Sequence, residues 1–182
     1  MKTRYRAHFC GTTLSVALLL AGCASERPAT TNQSNVSTVN TEPERPCASA
    51  PLPDNGYKAK ITLSEPPAKL RAGQKQIVQV KVQNASDVVW KVRGCGDDNK
   101  FYIAVGNQWL KAPGEQLVTR MDGRHGLPLN LKAGEEVEVP LQITAPGEAG
   151  EYILELDLVQ EQVAWFHDKG SETARAKVLV VR

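Results

Sequence analysis

Carboxylates are the side chains of this sequence whose spacing comes closest to that of a catalytic site. Glu155, Asp157 and Glu161 lie near one another along the chain, and pairs of such residues cleave glycosidic bonds. Glu155 and Asp157, however, alternate with leucines in a run that is typical of a β-strand, so we expect both on the solvated polar face of that strand. The sequence therefore favours a protein that is not an enzyme.

The histidines give no stronger case for catalysis. Asp122 and Arg124 precede His125 in a glycine-containing segment that we interpret as a turn. Ser171 follows His167 closely in the sequence, but closeness along the chain does not supply the geometry of a serine hydrolase triad. Because the sequence has neither clustered histidines nor a Cys-x-x-Cys spacing, we expect no metal site and no cofactor.

Binding is the chemistry that the sequence favours. A sugar ring can stack on a tryptophan while amides, carboxylates and arginine satisfy its hydroxyl groups. The candidate ligand-binding residues combine these side-chain types: Asn107, Trp109, Arg124, Gln160, Glu161 and Trp165. A structural role competes with this interpretation, because sandwich domains commonly bury a tryptophan between their sheets. Trp90 is the best candidate for that role, and both roles stay open for Trp109 and Trp165.

Short β-rich runs separated by glycine, proline, asparagine and aspartate occupy residues 56–182. Several runs alternate apolar and polar residues, which is typical of strands that bury one face. The predicted strands are residues 58–63, 76–83, 88–92, 101–105 with a possible extension to 110, 137–143, 152–159 and 176–181, with a weaker one at 117–120. About seven antiparallel strands and no long helix predict an all-β fold, an immunoglobulin-like antiparallel β-sandwich.

The N-terminal segment has the layout of a secretory signal, with a basic start, an apolar run and small residues. The apolar run is far shorter than the ~20 residues of a transmembrane helix. Leu20-Ala21-Gly22-Cys23 resembles the lipobox of bacterial lipoproteins, in which signal peptidase II cleaves before the cysteine and the cysteine is then acylated with fatty acids such as palmitate. The resemblance implies that residues 1–22 are removed and that Cys23 anchors the protein to a membrane.

The residues after Cys23 give two further expectations. Ala24 stands where lipoproteins that stay in the inner membrane carry aspartate, so the resemblance implies the outer membrane, and we expect the protein to face the periplasm. Residues 23–55 are rich in serine, threonine, asparagine and proline and poor in large apolar groups. Such a segment cannot bury enough surface to become ordered, so we predict a flexible linker ahead of a domain at residues 56–182.

The cysteines predict a disulfide. Cys10 leaves with the signal and Cys23 carries lipid, so Cys47 and Cys95 remain. A lone pair of thiols in an exported protein usually forms a bridge. A bridge between them would leave only residues 24–46 as a free tether.

Charge argues against one class of partner. The whole chain has 22 basic and 20 acidic residues. Cleavage of the signal removes three basic residues and no acidic one, so the mature chain is close to neutral. A neutral chain without basic runs interleaved with aromatics is not expected to bind nucleic acid.

Four segments of the domain, residues 65–73, 82–90, 106–110 and 152–170, resemble a bacterial immunoglobulin-like module that is often fused to glycosyltransferases or methyltransferases of surface-polysaccharide clusters. The most specific stretch is residues 156–166. The domain is also similar, more distantly, to the O-antigen-binding domain of polysaccharide ABC exporters. The resemblance implies a non-catalytic accessory role with glycan binding. This chain differs from the fused modules in its predicted lipid anchor and in having no attached enzyme.

Two functions remain open on the sequence, with hydrolysis a weaker third. The first is an envelope lipoprotein that binds a glycan or another envelope polymer. The second is an assembly or structural lipoprotein that docks a protein partner through a strand edge or an aromatic loop. A concave site with tryptophan beside arginine and a carboxylate would favour the first, whereas an exposed apolar patch or an unpaired edge would favour the second.

Overall fold

The computed structural model describes residues 47–182, and the structure is discussed for those residues alone. Cys23, the predicted signal and most of the predicted linker lie outside the described residues, so lipidation stays a prediction. Within residues 47–182, no helix has the length and apolar character needed to cross a membrane.

Nine strands make up the two sheets of the domain. They are β1 (Ala59–Leu63), β2 (Lys69–Arg71), β3 (Lys75–Asn84), β4 (Ile103–Lys111), β5 (Gln116–Gly126), β6 (Glu136–Thr144), β7 (Gly150–Gln160), β8 (Ala164–Trp165) and β9 (Ala174–Val181). The smaller sheet has the order β1-β3-β6, and the larger sheet has the order β2-β9-β7-β4-β5, with β8 added to β7. Single 3₁₀ turns lie at Asp54–Gly56 and His167–Lys169.

The chain changes sheet between its first two strands. β1 pairs antiparallel with β3 in the smaller sheet, whereas β2 pairs parallel with β9 in the larger one. The remaining pairings between these named strands are antiparallel. The protein is therefore an all-β sandwich of immunoglobulin-like type, as the sequence predicted.

The core lies between the sheets and follows the alternation of the strands. From the smaller sheet β3 and β6 contribute Val78, Val80, Val82, Val139, Leu141 and Ile143, all buried. Trp90 is fully buried, and its indole Nε1 donates to the carbonyl of Gly56 at 2.8 Å. Phe166 packs edge-on against Trp90, with ring centroids 5.3 Å apart. Trp90 is thus the core tryptophan that the sequence predicted.

The predicted strand at residues 88–92 is wrong. The backbone there makes an isolated bridge between Trp90 and Leu131. Side chains satisfy much of the rest of its backbone, because Asn84 Nδ2 donates to the carbonyl of Val88 at 2.7 Å and Asn130 Oδ1 accepts from the amide of Val92 at 2.9 Å. A segment whose hydrogen bonds are made by asparagines needs no neighbouring strand. The structure also adds β2 and β8, which are too short to show alternation.

A disulfide and backbone hydrogen bonds hold the first described residues to the domain. Cys47 and Cys95 form the expected disulfide, with Cα atoms 5.0 Å apart. Beside it, the amide of Ala48 donates to the carbonyl of Arg93 at 2.7 Å, and the amide of Cys95 donates to the carbonyl of Ala48 at 3.0 Å. Residues 47 and 48 are therefore tied to the domain, which is what the sequence analysis expected of a protein whose two cysteines pair. Composition alone did not reveal a segment that is held by a covalent bridge and by backbone hydrogen bonds.

Candidate functional site

A groove crosses the outer face of the larger sheet, on the side away from the core. Its narrower part is a cleft of about 120 Å³. Strands β4 and β7 form the floor of this cleft, and the segment around β8 forms one wall. The residues that line the cleft include Gly106, Gln108, Asp157, Trp165 and Asp168. A more open hollow of about 610 Å³ continues past Glu155 and His167 to Arg175, Glu115 and Glu172. The two parts share Gln108, Glu155 and His167, and together they are called the outer groove.

Asp157 forms a buried part of the floor and is 5% exposed. Its Oδ2 lies 2.6 Å from Nδ1 of His167 and also accepts from the backbone amide of His167 at 3.3 Å. Its Oδ1 accepts from the amide of Leu158 at 2.8 Å. Burial raises the pKa of Asp157, and the hydrogen bonds from His167 and Leu158 oppose that rise.

Glu155 lies two residues earlier on the same face of β7 and is 4% exposed. Its Oε1 accepts from Arg175 Nε at 2.6 Å and from the Thr173 hydroxyl at 2.8 Å, and its Oε2 accepts from Gln108 Nε2. Burial alone would raise the pKa of Glu155, but the hydrogen bonds from Gln108, Thr173 and Arg175 hold that pKa below its ordinary value.

The expectation that Glu155 and Asp157 lie on a solvated strand face is wrong. The chain after β7 returns across the strand, so that His167 and Thr173 contact the two carboxylates from above. Polar groups on the outer face of a sheet are solvated only when no other segment packs there. The covering segment turns a polar strand face into a floor with fixed hydrogen bonds.

Trp165 forms the aromatic wall of the groove and is half-buried. Its ring edge rests on Gly106, where an added Cβ would lie 3.1 Å from Cη2. The Arg124 guanidinium lies 5.0 Å from the ring centroid and forms an ion pair with Glu161. The structure therefore brings together three of the six candidate ligand-binding residues: Arg124, Glu161 and Trp165. Gly106 had no such role in the sequence analysis. The signal that could have revealed it is a glycine in the possible extension, to residue 110, of the strand predicted at 101–105.

The other three candidates are buried, and ligand contact by them stays a prediction. Trp109 is fully buried in the core. Asn107 is buried too, and its Oδ1 accepts from the amide of Gly123 at 2.7 Å. Gln160 is fully buried, and its Oε1 accepts from the Tyr57 hydroxyl at 2.6 Å. Each lies in phase with the core-facing residues of its strand. Trp109 and Gln160 are not among the residues that line the outer groove, whereas Asn107 lines the cleft beside Gly106.

The segment interpreted as a turn around Asp122 is part of β5 instead. The register of β5 against β4 shifts between Gly106 and Gln108, which leaves a bulge in β5. At this bulge a carboxylate oxygen of Asp122 accepts from the amide of Thr144 on the smaller sheet. Asp122 therefore joins the edges of the two sheets. In the part of the chain that the structure describes, no group of three or more His, Cys, Asp or Glu side chains is arranged to hold a metal ion.

The comparison with known proteins gives likenesses to solved structures. No protein-family model matches the sequence, and no curated protein matches it. A beta-glucosidase from Listeria innocua in complex with glucose is 16% identical with a TM-score of 0.42; the match covers 69% of this chain and 16% of that one. The CARDB domain of PF1109 from Pyrococcus furiosus is 14% identical with a TM-score of 0.40, and the match covers 68% of this chain and 93% of that one. Spo0M, a sporulation control protein from Bacillus subtilis, is 14% identical with a TM-score of 0.40, and the match covers 69% of this chain and 49% of that one. The chain thus spans about 16% of the length of the glucosidase.

Proposed function

We propose that this protein is a lipid-anchored lipoprotein of the outer membrane, facing the periplasm, whose outer groove binds a glycan or another envelope polymer without transforming it. The observation that carries the proposal is the concave site in which Trp165 stands beside Arg124, above a floor that contains Asp157. An aromatic wall and a few convergent polar groups are what a binding site for a hydroxyl-rich ligand requires.

The shape of the groove supports a polymer as the ligand. The cleft beside Trp165 continues into the hollow beside Arg175, and Glu155 belongs to both. A ligand that occupies both parts must extend along the strands, as a chain of sugar units can. Because the floor is held by hydrogen bonds between β4, β7 and the covering segment, little order would have to be created on binding.

The hydrogen bonds of the floor support binding over hydrolysis. A catalytic acid or base must present its proton or lone pair to the substrate. Glu155 already accepts from Gln108, Thr173 and Arg175. Asp157 already accepts from His167 and Leu158. Both carboxylates are therefore engaged in holding the groove together.

Docking of a protein partner is the second candidate. The observation in its favour is β5, an outermost strand of the larger sheet, which exposes Leu117 and Val118 to 39% and 45%. An exposed apolar strand edge can accept an added strand from a partner. Val118→Lys should then abolish capture of that partner, while a protein that binds glycans through the outer groove should keep its glycan binding in this variant.

The test of the first candidate is a glycan array probed with the full-length protein in detergent. Trp165→Ala should lower the affinity for a bound glycan by about tenfold or more, as removal of an aromatic anchor usually does. Ile77→Ala is the matched control, because Ile77 is an exposed apolar side chain on the smaller sheet. Unchanged binding by the Trp165→Ala protein, or equal loss in both variants, contradicts the proposed site.

The anchor is tested separately by metabolic labelling with radioactive palmitate. The wild-type protein and a Cys10→Ala variant should incorporate the label, because the proposal places Cys10 in the cleaved signal. A Cys23→Ala variant should incorporate none, since an acylated cysteine is what the lipobox resemblance implies. Label on the Cys23→Ala protein would refute lipidation at Cys23.

A further inference from the structure

We infer that the outer groove selects a ligand with protonated amines, in the form of a glycan whose amino sugars carry a free rather than an acylated nitrogen. This inference rests on the proposed function and narrows its ligand class. It follows from the charge balance of the groove, from the engagement of its cations and from the chemistry of its aromatic wall.

The lining of the groove is acidic. Five carboxylates contribute to it, Glu115, Glu155, Asp157, Asp168 and Glu172, against two basic side chains, His167 and Arg175. The lining therefore carries a net negative charge even when His167 is protonated, although the predicted mature chain as a whole is close to neutral. A concave site lined by one sign of charge attracts ligands of the opposite sign and repels acidic polymers.

Both cations of the lining are already engaged. Arg175 lies between two carboxylates, with Nε 2.6 Å from Glu155 and Nη1 3.0 Å from Glu115. His167 also lies between two carboxylates, with Nδ1 2.6 Å from Asp157 and Nε2 3.1 Å from Asp168. An acidic sugar would have to compete with these partners. An ammonium group meets two exposed carboxylates at the rim, Glu172 and Asp168, of which Asp168 also binds His167 through Oδ1.

The aromatic wall fits the same ligand. The Arg124 guanidinium lies over the Trp165 ring, 5.0 Å from its centroid, so on that face the attraction of the indole for cations is already satisfied by the protein's own arginine. Glu161 neutralises Arg124 through their ion pair. An amino sugar offers both a ring that can stack on tryptophan and an ammonium group that can meet Asp168. A neutral N-acetyl sugar can also stack on Trp165, but it has no ammonium group to meet Asp168.

The test compares two probes that differ in the acylation of one nitrogen per sugar. Titration calorimetry of the full-length protein in detergent at pH 5.5 should show the glucosamine tetramer binding about tenfold or more tightly than the N-acetylglucosamine tetramer, with the difference shrinking as salt is added. Equal affinity, or tighter binding of the acetylated tetramer, overturns the inference and leaves the proposed glycan binding standing. Failure of both tetramers and of every glycan on the array overturns both proposals. Tighter binding of a penta-lysine peptide than of the glucosamine tetramer overturns the assignment to a sugar.

A carboxylate variant locates the preference. Asp168→Asn should weaken binding of the glucosamine tetramer by about threefold to tenfold, and by more than it weakens binding of the acetylated tetramer, because it removes one exposed charge at the rim. Glu65→Gln is the matched control, since Glu65 is an exposed carboxylate outside the lining of the groove. An equal effect of the two variants on the glucosamine tetramer would mean that the attraction is a property of the whole surface, which overturns the assignment to the groove.

Discussion

His167 fastens the wall of the outer groove to its floor through Asp157. The imidazole Nδ1 of His167 and its backbone amide both approach Oδ2 of Asp157, at 2.6 and 3.3 Å. Asp157 lies on β7, whereas His167 begins the 3₁₀ turn that follows β8. On its other side, Nε2 of His167 lies 3.1 Å from Asp168. Both ring nitrogens can donate at once only when the imidazole is protonated.

Asp157→Asn should loosen the wall without unfolding the sandwich. An amide oxygen is a weaker acceptor than a carboxylate for the two donors of His167, so we expect a loss of about 1–3 kcal/mol in the free energy of unfolding. Amide hydrogen exchange in residues 164–170 should rise well above that in β3. Asp168→Asn serves as the control, because Asp168 is exposed and bonds the opposite ring nitrogen. Wild-type exchange rates across residues 164–170 in Asp157→Asn would show that the pair does not hold the wall.

Glu155 predicts a pH dependence of stability. Its pKa is held below the ordinary value of 4.5 in the folded protein, so the carboxylate stabilises the fold above pH 4.5 and loses that contribution as the pH falls through the folded pKa. The Glu155→Gln protein has no carboxylate at this position, so its stability contains no such contribution that acid could remove. Urea unfolding should therefore show the largest difference between wild type and Glu155→Gln near neutral pH, and this difference should shrink as the solution is acidified below pH 4.5.

The control for this titration is Glu115→Gln. Glu115 also binds Arg175, but its side chain is 51% exposed, where water screens the ion pair. Its removal should change stability little and nearly equally at all pH values. A difference between wild type and Glu155→Gln that stays constant from pH 7 to pH 3 would contradict the pKa assignment.

Gly106 should control the position of Trp165. An alanine Cβ at this position would lie 3.1 Å from Cη2 and 3.3 Å from Cζ3 of the indole, so the ring or its strand must move in Gly106→Ala. Because Trp90 and Trp109 are fully buried, we expect any change in the exposure of an indole ring to come from Trp165. We expect a shift to longer wavelength in the fluorescence emission and weaker ligand binding. Gly147→Ala is the matched control, because a Cβ at Gly147 would meet no atom within 4 Å. Identical emission of both variants would contradict the packing role of Gly106.

The alternation of side chains made most of the fold predictable from the sequence. Val78, Val80 and Val82 share one face of β3, and that face is buried as predicted. The same alternation places Asn107 and Trp109 in phase with Val105, and thus in the core. The sequence analysis selected these two residues by their side-chain type, as sugar-binding groups. Their position in the alternation of the strand is the stronger signal, and it predicts that both side chains face the core.

The covering of β7 was not predictable from local pattern. Glu155 and Asp157 alternate with leucines in the way that a solvated strand face does. Their burial depends on His167 and Arg175, which return from 10 and 20 residues further along the chain. Period-two alternation describes which side of the strand a residue occupies, and it contains no information about a later segment that packs on that side.

The disulfide predicts how firmly the start of the domain is held. Cys47 and Cys95 are 48 residues apart, and closing a loop of that length restricts the unfolded chain by about 4 kcal/mol on the chain-entropy estimate. The double variant Cys47→Ser, Cys95→Ser should therefore have a free energy of unfolding lower by about that amount, measured by urea denaturation.

The segment after Cys47 keeps other contacts without the bridge. The amide of Leu52 donates to Gln160 at 3.0 Å, and Trp90 binds the carbonyl of Gly56. Limited proteolysis of the double variant should then cut before residue 52 and spare the rest of the domain. Reduced wild-type protein is the control and should match the double variant in both measurements. Equal stability of oxidised wild type and double variant, or cleavage throughout residues 47–60, would mean that the bridge does not hold the segment in this way.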